Sequence, residues 1–320
     1  MFRRDFIKTS ATAAAAGLLS PALMATPNPA KIRNIGFQVW SIAKFLEKDL
    51  EGGLELIAKT GYKELELYGP YPFSSQKDKD AWQNVITLLP FKQSGYFGRS
   101  VKEFKTLLDD KGLRTPAMHI GLDTLRNNLE ATAEAAHVLG QQYAGIAAIP
   151  DDERKTLDGY KRIADDFNAI GEKAKKLGIR FYYHNHGYGL QPMDGVVPFD
   201  LILERTDRSL VFFEMDVYWH IAGGADPIKY LDANPGRFKL MHVKDMKEKV
   251  RFSGDGGDPA QWVELFPYIT DAGSGVLDLP TILSRAQRSG VAHFIVENDV
   301  VTDPKKSLGS AFDFISKLEL

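Results

Sequence analysis

Cysteine is absent from the 320 residues of the chain, which excludes disulfide bonds and metal sites built from thiolates. No stretch of 18 or more consecutive apolar residues occurs, so we predict no membrane-spanning helix. Neither sign of charge predominates, because 40 basic residues stand against 42 acidic ones and the formal net charge is −2. Such a balance gives no general attraction to nucleic acid or to anionic lipid. We therefore expect neither of them as a partner, and the sequence leaves the oligomeric state open.

The first 25 residues have the pattern of an export signal rather than of a folded domain. Arg3 and Arg4 precede an alanine-rich apolar run over 11–19, and small residues follow at Ala22 and Ala25, where cleavage would fall. A basic start, a short apolar middle and a small-residue cleavage region are typical of secretory signals, and the arginine pair resembles a twin-arginine signal. We therefore expect removal of residues 1–25 and a periplasmic or exported protein. The alternative is a basic N-terminal helix packed on the domain.

From residue 26 onwards, short apolar runs alternate with longer helical patterns, which is typical of βα repeats and a parallel sheet. No G-x-G-x-x-G motif follows the first run, so a dinucleotide-binding fold is not supported. Eight such repeats favour a closed ring, and we predict an α/β protein with a single-domain (β/α)8 TIM barrel over 26–320. The predicted strands are 35–41, 62–68, 114–120, 143–149, 180–186, 210–218, 238–244 and 293–298, and the clearest helices are 50–59, 125–139, 160–176 and 280–288.

Two connections are longer than the others. One covers 69–99 and the other 246–279, and each follows a predicted strand, so both should lie at the C-terminal end of the barrel. Long loops in a compact domain usually carry function, and both of these contain several aromatic residues. We expect them to line a sugar pocket, because the faces of sugars stack on aromatic rings.

Polar residues concentrate at the carboxyl ends of four consecutive predicted strands, the fifth to the eighth. In barrels of this kind the active site is built at that end, and strand alternation can send all four side chains inward. Imidazole and carboxylate groups without sulfur suit Mn, Zn, Co or Mg, so we predict one divalent metal ion. Taken singly, each residue is better explained as a buried hydrogen-bonding group of the core, and the four together favour the metal site. The four predicted ligands are His184, Asp216, His242 and Glu297.

Four segments at these strand ends carry a resemblance to a known family. They read Y-H-N-H at 183–186, E-M-D-V-Y-W at 214–219, H-V-K-D-M at 242–246 and V-E at 296–297. In this order they resemble the sugar isomerase/epimerase superfamily with the xylose-isomerase-like barrel, over about residues 33–318. That superfamily includes sugar epimerases, inosose dehydratases and endonuclease IV.

The resemblance implies a metal ligand set with one departure. The epimerases hold their metal with Glu, Asp, His and Glu from strands five to eight, and the last three match Asp216, His242 and Glu297. His184 stands where those enzymes carry a glutamate that is also one of two acid–base residues, so a mechanism with two carboxylates is disfavoured. Trp219 likewise stands where the epimerases carry a histidine.

The chemistry implied by this set starts with removal of a proton next to a ketone. A metal ion that binds the ketone oxygen and the adjacent hydroxyl acidifies the neighbouring C–H bond, and the resulting enediolate is stabilised by the ion and nearby donors. Glu297 is the predicted base and Lys244 the predicted electrostatic partner or acid. A salt bridge from Lys244 to Glu214 is an equal alternative. His186 is a candidate proton shuttle, because histidine titrates near neutral pH.

Two reactions can follow from the same enediolate. Reprotonation gives isomerisation or epimerisation of a sugar or keto sugar, which is our prediction. Expulsion of a β-leaving group from a 3-keto-glycoside or an inosose gives a lyase or dehydratase, which is the main alternative. A sugar-binding protein without catalysis is a further alternative, and a nuclease is disfavoured by the charge and the export signal. A small-molecule carbohydrate is the expected partner.

The first three strands and the long loops complete the predicted substrate pocket. Trp40, Glu66 and His119 lie on strands one to three and should face the same cavity. Trp219 and the connection over 69–99 should close above it. The alternative for Trp40 and Trp219 is that they belong to the core at the top of the barrel.

Overall fold

The computed structural model describes residues 31–32 and 34–319, and the predicted barrel is present. Eight parallel strands close into a ring in the order of the chain, with the last paired to the first. This confirms the single-domain (β/α)8 prediction. The predicted export signal over 1–25 lies outside the described residues. The strands, of which β8 and β9 form a separate antiparallel pair, are β1 (Ile35–Gln38), β2 (Glu64–Tyr68), β3 (Arg114–His119), β4 (Tyr143–Ile146), β5 (Arg180–His184), β6 (Val211–Asp216), β7 (Phe238–Val243), β8 (Asp245–Met246), β9 (Ile269–Thr270) and β10 (His293–Val296).

Helices surround the ring and bury its outer face. They are α1 (Ala43–Lys48), α2 (Leu50–Thr60), α3 (Gln76–Val85), α4 (Val101–Asp110), α5 (Leu122–Asn127), α6 (Leu129–Leu139), α7 (Leu157–Lys176), α8 (Pro198–Arg205), α9 (Val217–Ala222), α10 (Pro227–Ala233), α11 (Pro259–Leu265), α12 (Leu279–Ser289) and α13 (Pro304–Lys317). Three of the four predicted helices are α2, α7 and α12. The pattern over 125–139 instead belongs to two helices, because the backbone leaves the helical conformation at Asn128. The side-chain amide of Asn128 donates a hydrogen bond to the backbone carbonyl of Phe73. In the described part of the chain, no helix has the length and apolar character needed to cross a membrane.

Several strands end earlier than predicted, and two of them do so because their last residue caps the turn that follows. The Asp216 carboxylate accepts the backbone N–H of Trp219 and begins α9, so the predicted continuation of strand six to 218 was wrong. The side-chain oxygen of Gln38 accepts the backbone N–H of Trp40 in the short turn Val39–Ile42, so β1 also stops early. Such caps satisfy donors that a helix start leaves unpaired. Trp40 therefore lies on a short turn and Trp219 in α9, both beyond the strands rather than within them.

The stagger of the strands decides which polar residues meet inside the ring. Asp216 of β6 is paired with His242 of β7, whereas His184 of β5 is paired with Glu214 of β6. Because alternate residues of a strand share a face, Glu214 and Asp216 project into the barrel at two different heights. We call the groups at the height of Glu214 the inner layer and those at the height of Asp216 the outer layer.

The second long connection is anchored beside the outer layer by one carboxylate. Asp245 accepts the backbone N–H groups of Gly273, Gly275 and Leu277. A Cβ atom at Gly275 would lie 2.2 Å from the backbone oxygen of Met246, so only glycine allows this close approach. The end of the connection is therefore fixed against the strand that carries His242.

A separate polar group closes the opposite end of the barrel. Glu64 of β2 is buried and lies 3.0 Å from Nη2 of Arg114 and 2.8 Å from Nδ1 of His293. Arg114 and His293 are the first residues of β3 and β10. Polar groups at the amino-terminal end of such a barrel contribute to stability rather than to catalysis, and we interpret this group as structural.

Candidate active site

Three of the four predicted metal ligands converge at the carboxyl ends of β6, β7 and β10. Ligand atoms of Asp216, His242 and Glu297 all lie within 4.8 Å of one another. Nδ1 of His242 is 2.7 Å from Oε2 of Glu297 and 3.7 Å from Oδ2 of Asp216. All three side chains are buried. Two carboxylates and an imidazole around one water-poor point form a ligand set for a divalent cation with oxygen and nitrogen preference.

A buried ammonium group belongs to the same outer layer. Nζ of Lys244 lies 2.6 Å from Oε2 of Glu297, 3.0 Å from Oδ2 of Asp216 and 2.8 Å from Oδ2 of Asp299. Burial alone would lower the pKa of Lys244, but the three carboxylates outweigh burial and raise it well above its usual value. Lys244 is therefore protonated in the resting state. Its partners are these carboxylates and not Glu214, the partner considered from the sequence.

Asp299 is a site residue that the sequence analysis did not select. Burial raises the pKa of its carboxyl to about 6, although Lys244 acts in the opposite direction. The sequence did contain a signal, because Asp299 follows Glu297 by two residues just after the last strand, and residues at that spacing tend to share a face. Asp299 gives the Lys244 ammonium a partner outside the predicted metal ligand set.

The inner layer contains one carboxylate surrounded by histidines. Oε2 of Glu214 is 2.9 Å from Nε2 of His119, 3.0 Å from Nδ1 of His184 and 3.4 Å from Nε2 of His242. Burial, together with the nearby Glu66 carboxylate, raises the pKa of Glu214 to about 7. The nitrogens of His119 and His184 that face Glu214 are within hydrogen-bond distance of it. The inner layer is thus a hydrogen-bond network beneath the outer layer, in which Oε1 of Glu214 has no partner among the described residues.

Glu66 of β2 completes the inner layer. Its Oε2 lies 2.6 Å from Nε2 of His242 and accepts a hydrogen bond of 2.7 Å from Gln38, while its Oε1 accepts one of 2.7 Å from Tyr182. Burial alone would raise the pKa of Glu66, but His119 and His242 lower it. Glu66 was predicted to contact substrate. It is fully buried and both of its oxygens are engaged by protein groups, so that contact stays a prediction.

His184 lies between the two layers. Its Nδ1 is 3.0 Å from Oε2 of Glu214, and its Nε2 is 3.9 Å from Oδ2 of Asp216. Burial lowers the pKa of His184 well below its usual value, so the ring is neutral. A neutral imidazole that donates from Nδ1 has a free lone pair on Nε2. This position suits a fourth ligand, at a longer distance than the other three, and the ligand role of His184 stays a prediction.

One buried nitrogen beside the outer layer, Nε2 of His184, has no hydrogen-bond partner among the described residues. It lies 3.9 Å from Oδ2 of Asp216, and Nδ1 of His242 lies 3.7 Å from the same oxygen. A buried polar atom left unpaired costs free energy, and a cation with nitrogen and oxygen ligands could bind these three atoms together. The residues of the outer layer therefore fit the predicted divalent metal ion.

His186 lies beside the predicted ligands, but its environment differs from the one assumed. Its ring centroid is 4.6 Å from that of His184 and 5.2 Å from that of Trp262. Burial, followed by the positive charge of Lys244, lowers the pKa of His186 to about 3. The ring is therefore neutral at pH 7, and the argument that it titrates near neutral pH does not apply. A proton-shuttle role for His186 stays a prediction.

The tryptophans predicted to line the pocket occupy two places at the barrel top. Trp219 is buried, its ring stacks on Phe252 with centroids 5.7 Å apart, and Nζ of Lys244 lies 5.5 Å from its ring centroid. Trp40 is half-buried and packs edge-on against Tyr68 at 5.1 Å. Both residues contribute to packing at the top of the barrel, and their contact with substrate stays a prediction.

Comparison with known proteins gives matches over most of the chain. Residues 54–318 match the family described as the xylose isomerase-like TIM barrel. The inosose dehydratase of Lacticaseibacillus casei is 23% identical over 269 residues, which are 82% of this chain and 85% of that protein. The inosose dehydratase of Clostridium beijerinckii is 34% identical over 92 residues, 28% of this chain and 30% of that protein. The chain thus spans about a third of the Clostridium relative that it matches at higher identity.

Two solved structures share the architecture. A sugar phosphate isomerase/epimerase from Parabacteroides distasonis has a TM-score of 0.70 at 23% identity, and the match covers 94% of this chain and 100% of that one. A structure of the IolI protein with a bound zinc atom has a TM-score of 0.63 at 15% identity, covering 89% of this chain and 99% of that one. At these identities the likeness shows the fold alone.

Proposed function

The chain belongs to the xylose isomerase-like TIM barrel family, and from this premise we propose that it is a metal-dependent dehydratase or related lyase. The proposed substrate is an inosose or a 3-keto-glycoside, a cyclic ketone with a leaving group β to the carbonyl. The observation that carries the proposal is a buried base paired with a buried acid, since Oε2 of Glu297 lies 2.6 Å from Nζ of Lys244. The inosose dehydratases among the relatives support this reaction type.

One divalent ion, Mn, Zn, Co or Mg, completes the proposed site. When bound, the ion polarises the ketone and makes the neighbouring C–H bond more acidic. The charge of the outer layer supports the presence of this ion. Three carboxylates lie around one ammonium group there, and a divalent ion offsets the excess negative charge. The zinc in the IolI structure, which shares the fold, is consistent with such a centre. The proposed ligands are Asp216, His242, Glu297 and His184.

The proton steps are assigned to Glu297 and Lys244. Glu297 removes the proton from the carbon next to the ketone, and Lys244 donates a proton to the departing oxygen. The C–H and C–O bonds break, a C=C bond forms, and water or an alcohol leaves, so the atoms balance. Glu297 is then protonated and Lys244 neutral. Their separation of 2.6 Å allows the proton to return directly and restores the resting charges.

Isomerisation is the second candidate function. The likeness to a sugar phosphate isomerase/epimerase structure favours it at the level of the superfamily. It begins with the same proton removal by Glu297, but the proton returns to the neighbouring carbon and no group leaves. The single buried base beside an ammonium is compatible with both outcomes, and the products distinguish them.

The decisive experiment is turnover in deuterated water. Protein loaded with Mn is incubated with an inosose and with a 3-keto-glycoside, and the products are followed by NMR. Loss of water or of the aglycone supports the proposal. Deuterium incorporation without loss of a group supports isomerisation instead. Chelator-treated protein and the Glu297→Gln variant are the controls. If neither substrate reacts but one binds by calorimetry, the protein is a sugar-binding protein and the proposal fails.

We also propose that the enzyme acts outside the cytoplasm on a small carbohydrate. The support is the basic and apolar pattern of residues 1–25, together with a charge balance that offers no attraction to nucleic acid. Replacement of Arg3 and Arg4 by lysine should retain the precursor in the cytoplasm, which fractionation and immunoblotting measure. Export that continues unchanged would contradict the twin-arginine assignment.

A further inference from the structure

We infer that Glu66 and Glu214 are positioning residues that fix the orientation of His242 and His184, so that each imidazole turns its other nitrogen towards the outer layer. This inference rests on the proposed function, because it concerns the residues that would hold the metal ion. It assigns to the inner layer a task that the sequence did not indicate, since Glu66 was predicted as a substrate contact and Glu214 was considered only as an alternative partner of Lys244.

His242 shows the arrangement most directly. Its Nε2 lies 2.6 Å from Oε2 of Glu66 in the inner layer, and its Nδ1 faces Glu297 at 2.7 Å and Asp216 at 3.7 Å in the outer layer. An imidazole that donates one N–H to a carboxylate has its tautomer and ring plane fixed, and its other nitrogen becomes a better ligand. Glu66 therefore selects Nδ1 of His242 as the nitrogen that faces the predicted ion.

His184 is oriented in the same way, but its Nδ1 faces the inner layer and its Nε2 faces the outer layer. Its Nδ1 is 3.0 Å from Oε2 of Glu214, and its Nε2 has no hydrogen-bond partner among the described residues and lies 3.9 Å from Oδ2 of Asp216. The two histidines come from different strands and use different nitrogens, yet the outer nitrogen of each lies within 3.9 Å of the same oxygen, Oδ2 of Asp216. A carboxylate ligand at position 184 would need no such control, whereas a histidine needs a partner that fixes its tautomer.

The two positioning carboxylates are themselves immobilised. Gln38 and Tyr182 donate hydrogen bonds of 2.7 Å to the two oxygens of Glu66. His119 lies between the carboxylates, with its Nε2 2.9 Å from Oε2 of Glu214 and 3.4 Å from Oε2 of Glu66. Both glutamates are fully buried. The inner layer is therefore rigid enough to orient the rings above it.

The same inner atoms also have the composition of a second cation site, because ligand atoms of His119, His184, Glu214 and His242 lie within 4.8 Å of one another. The pairing of the nitrogens argues for positioning instead. His119 and His184 are already within hydrogen-bond distance of Glu214, and Nε2 of His184, which has no partner among the described residues, faces Asp216 of the outer layer. A second ion bound in the inner layer is thus an outcome that the test must separate from positioning.

The first measurement is metal affinity. Dissociation constants for Mn and Zn are determined by chelator competition for the wild type, Glu66→Gln, Glu214→Gln and the matched control Glu64→Gln. Glu64 lies on the same strand as Glu66 and is equally buried, but it belongs to the structural group at the opposite end of the barrel. We expect each inner-layer variant to bind metal roughly 10- to 100-fold more weakly, and the control to bind as the wild type does. Equal affinity in all four proteins, or a wild type that binds two ions and an inner-layer variant that binds one, overturns the inference.

The second measurement does not require metal. Long-range proton–nitrogen correlation spectra of chelator-treated protein report the tautomer of His184. We expect Nδ1–H in the wild type and in Glu64→Gln, and a shift towards Nε2–H in Glu214→Gln, because the glutamine amide can donate to Nδ1. An unchanged tautomer overturns the inference even if metal binds. Absence of metal binding by the wild type, with the tautomer shift present, overturns the proposed function and leaves the positioning role standing. If Glu66→Gln does not fold, Tyr182→Phe, which removes one donor to Glu66, takes its place in the affinity series.

Discussion

Nζ of Lys244 and Oε2 of Glu297 lie 2.6 Å apart, at the ends of the neighbouring strands β7 and β10. Burial alone would raise the pKa of Glu297, but Lys244 and His242 hold it well below its usual range. The ammonium is stabilised in turn by the surrounding carboxylates. Both groups are therefore charged at rest, so Glu297 is in the form that can accept a proton and Lys244 is in the form that can donate one.

The first prediction concerns Glu297→Gln. The glutamine oxygen can still bind a cation, so metal content should fall only modestly, whereas loss of the base should lower turnover by about 10²- to 10⁴-fold. Elemental analysis and steady-state kinetics on the same preparation measure the two effects. Glu264→Gln, at an exposed position, is the control. Equal loss of metal and of turnover would show that Glu297 is a ligand and not the base.

The second prediction concerns Lys244→Met. Removal of the ammonium leaves two buried carboxylates and the half-buried Asp299 without their cation, which should cost about 3–5 kcal/mol of unfolding free energy at pH 8. The cost should shrink towards pH 5, because the carboxylates can then take up protons, and added Mn should restore part of it by supplying positive charge. Urea unfolding with and without Mn measures both effects. Lys239→Met, on the same strand but half-buried, is the control. A loss of stability that is independent of pH and Mn would contradict the charge argument.

The barrel and its polar rim follow from short-range features of the sequence. Alternating apolar runs and helical patterns identify all eight barrel strands, and polar residues stand out at strand ends where apolar ones are expected. For that reason Asp216, His242 and Glu297 could be selected as site residues from the sequence alone. Their neighbourhood in space follows directly once the strands are known to be consecutive in a closed ring.

The partners of these residues depend on strand stagger, which the sequence does not display. Alternation shows that Lys244 shares a face with His242, but not whether its ammonium reaches the height of Glu214 or of Asp216. The contacts of its ammonium with Asp216 and Glu297 place it in the outer layer, and Asp299 reaches it from the turn that follows β10. His184 similarly meets Glu214 first because the stagger between β5 and β6 pairs those two positions. Long-range pairings of this kind require the barrel geometry.

The third prediction concerns Trp219. Its ring is buried and stacks on Phe252 of the second long connection, so Trp219→Ala should cost about 3–5 kcal/mol of stability. It should also raise KM, because the connection loses its contact above the outer layer. Phe252→Ala removes the same stacking contact and should also raise KM. Because Phe252 is only half-buried, the loss of stability should be smaller. Thermal unfolding and kinetics on both variants separate the two effects. Loss of stability with an unchanged KM would show that Trp219 belongs only to the core.

The fourth prediction concerns the pH dependence of stability at Asp299. The pKa of its carboxyl rises from 3.8 to about 6 on folding, chiefly through burial. The folded state therefore binds this proton more tightly than the unfolded state does. The corresponding stabilisation is fully present below about pH 3.8 and is lost as the pH rises through about 6. Above that pH the wild type contains an ionised carboxylate that folding disfavours.

Asp299→Asn removes this ionisation and leaves Lys244 its contacts with Asp216 and Glu297. The stability of the variant relative to the wild type should thus increase from pH 4 to pH 8, by up to about 2–3 kcal/mol. Urea unfolding of chelator-treated protein at several pH values measures the difference, with Asp152→Asn at an exposed position as the control. A difference that is flat across this range, or that favours the wild type more strongly at pH 8, would mean that the ion pair with Lys244 outweighs burial at this carboxylate.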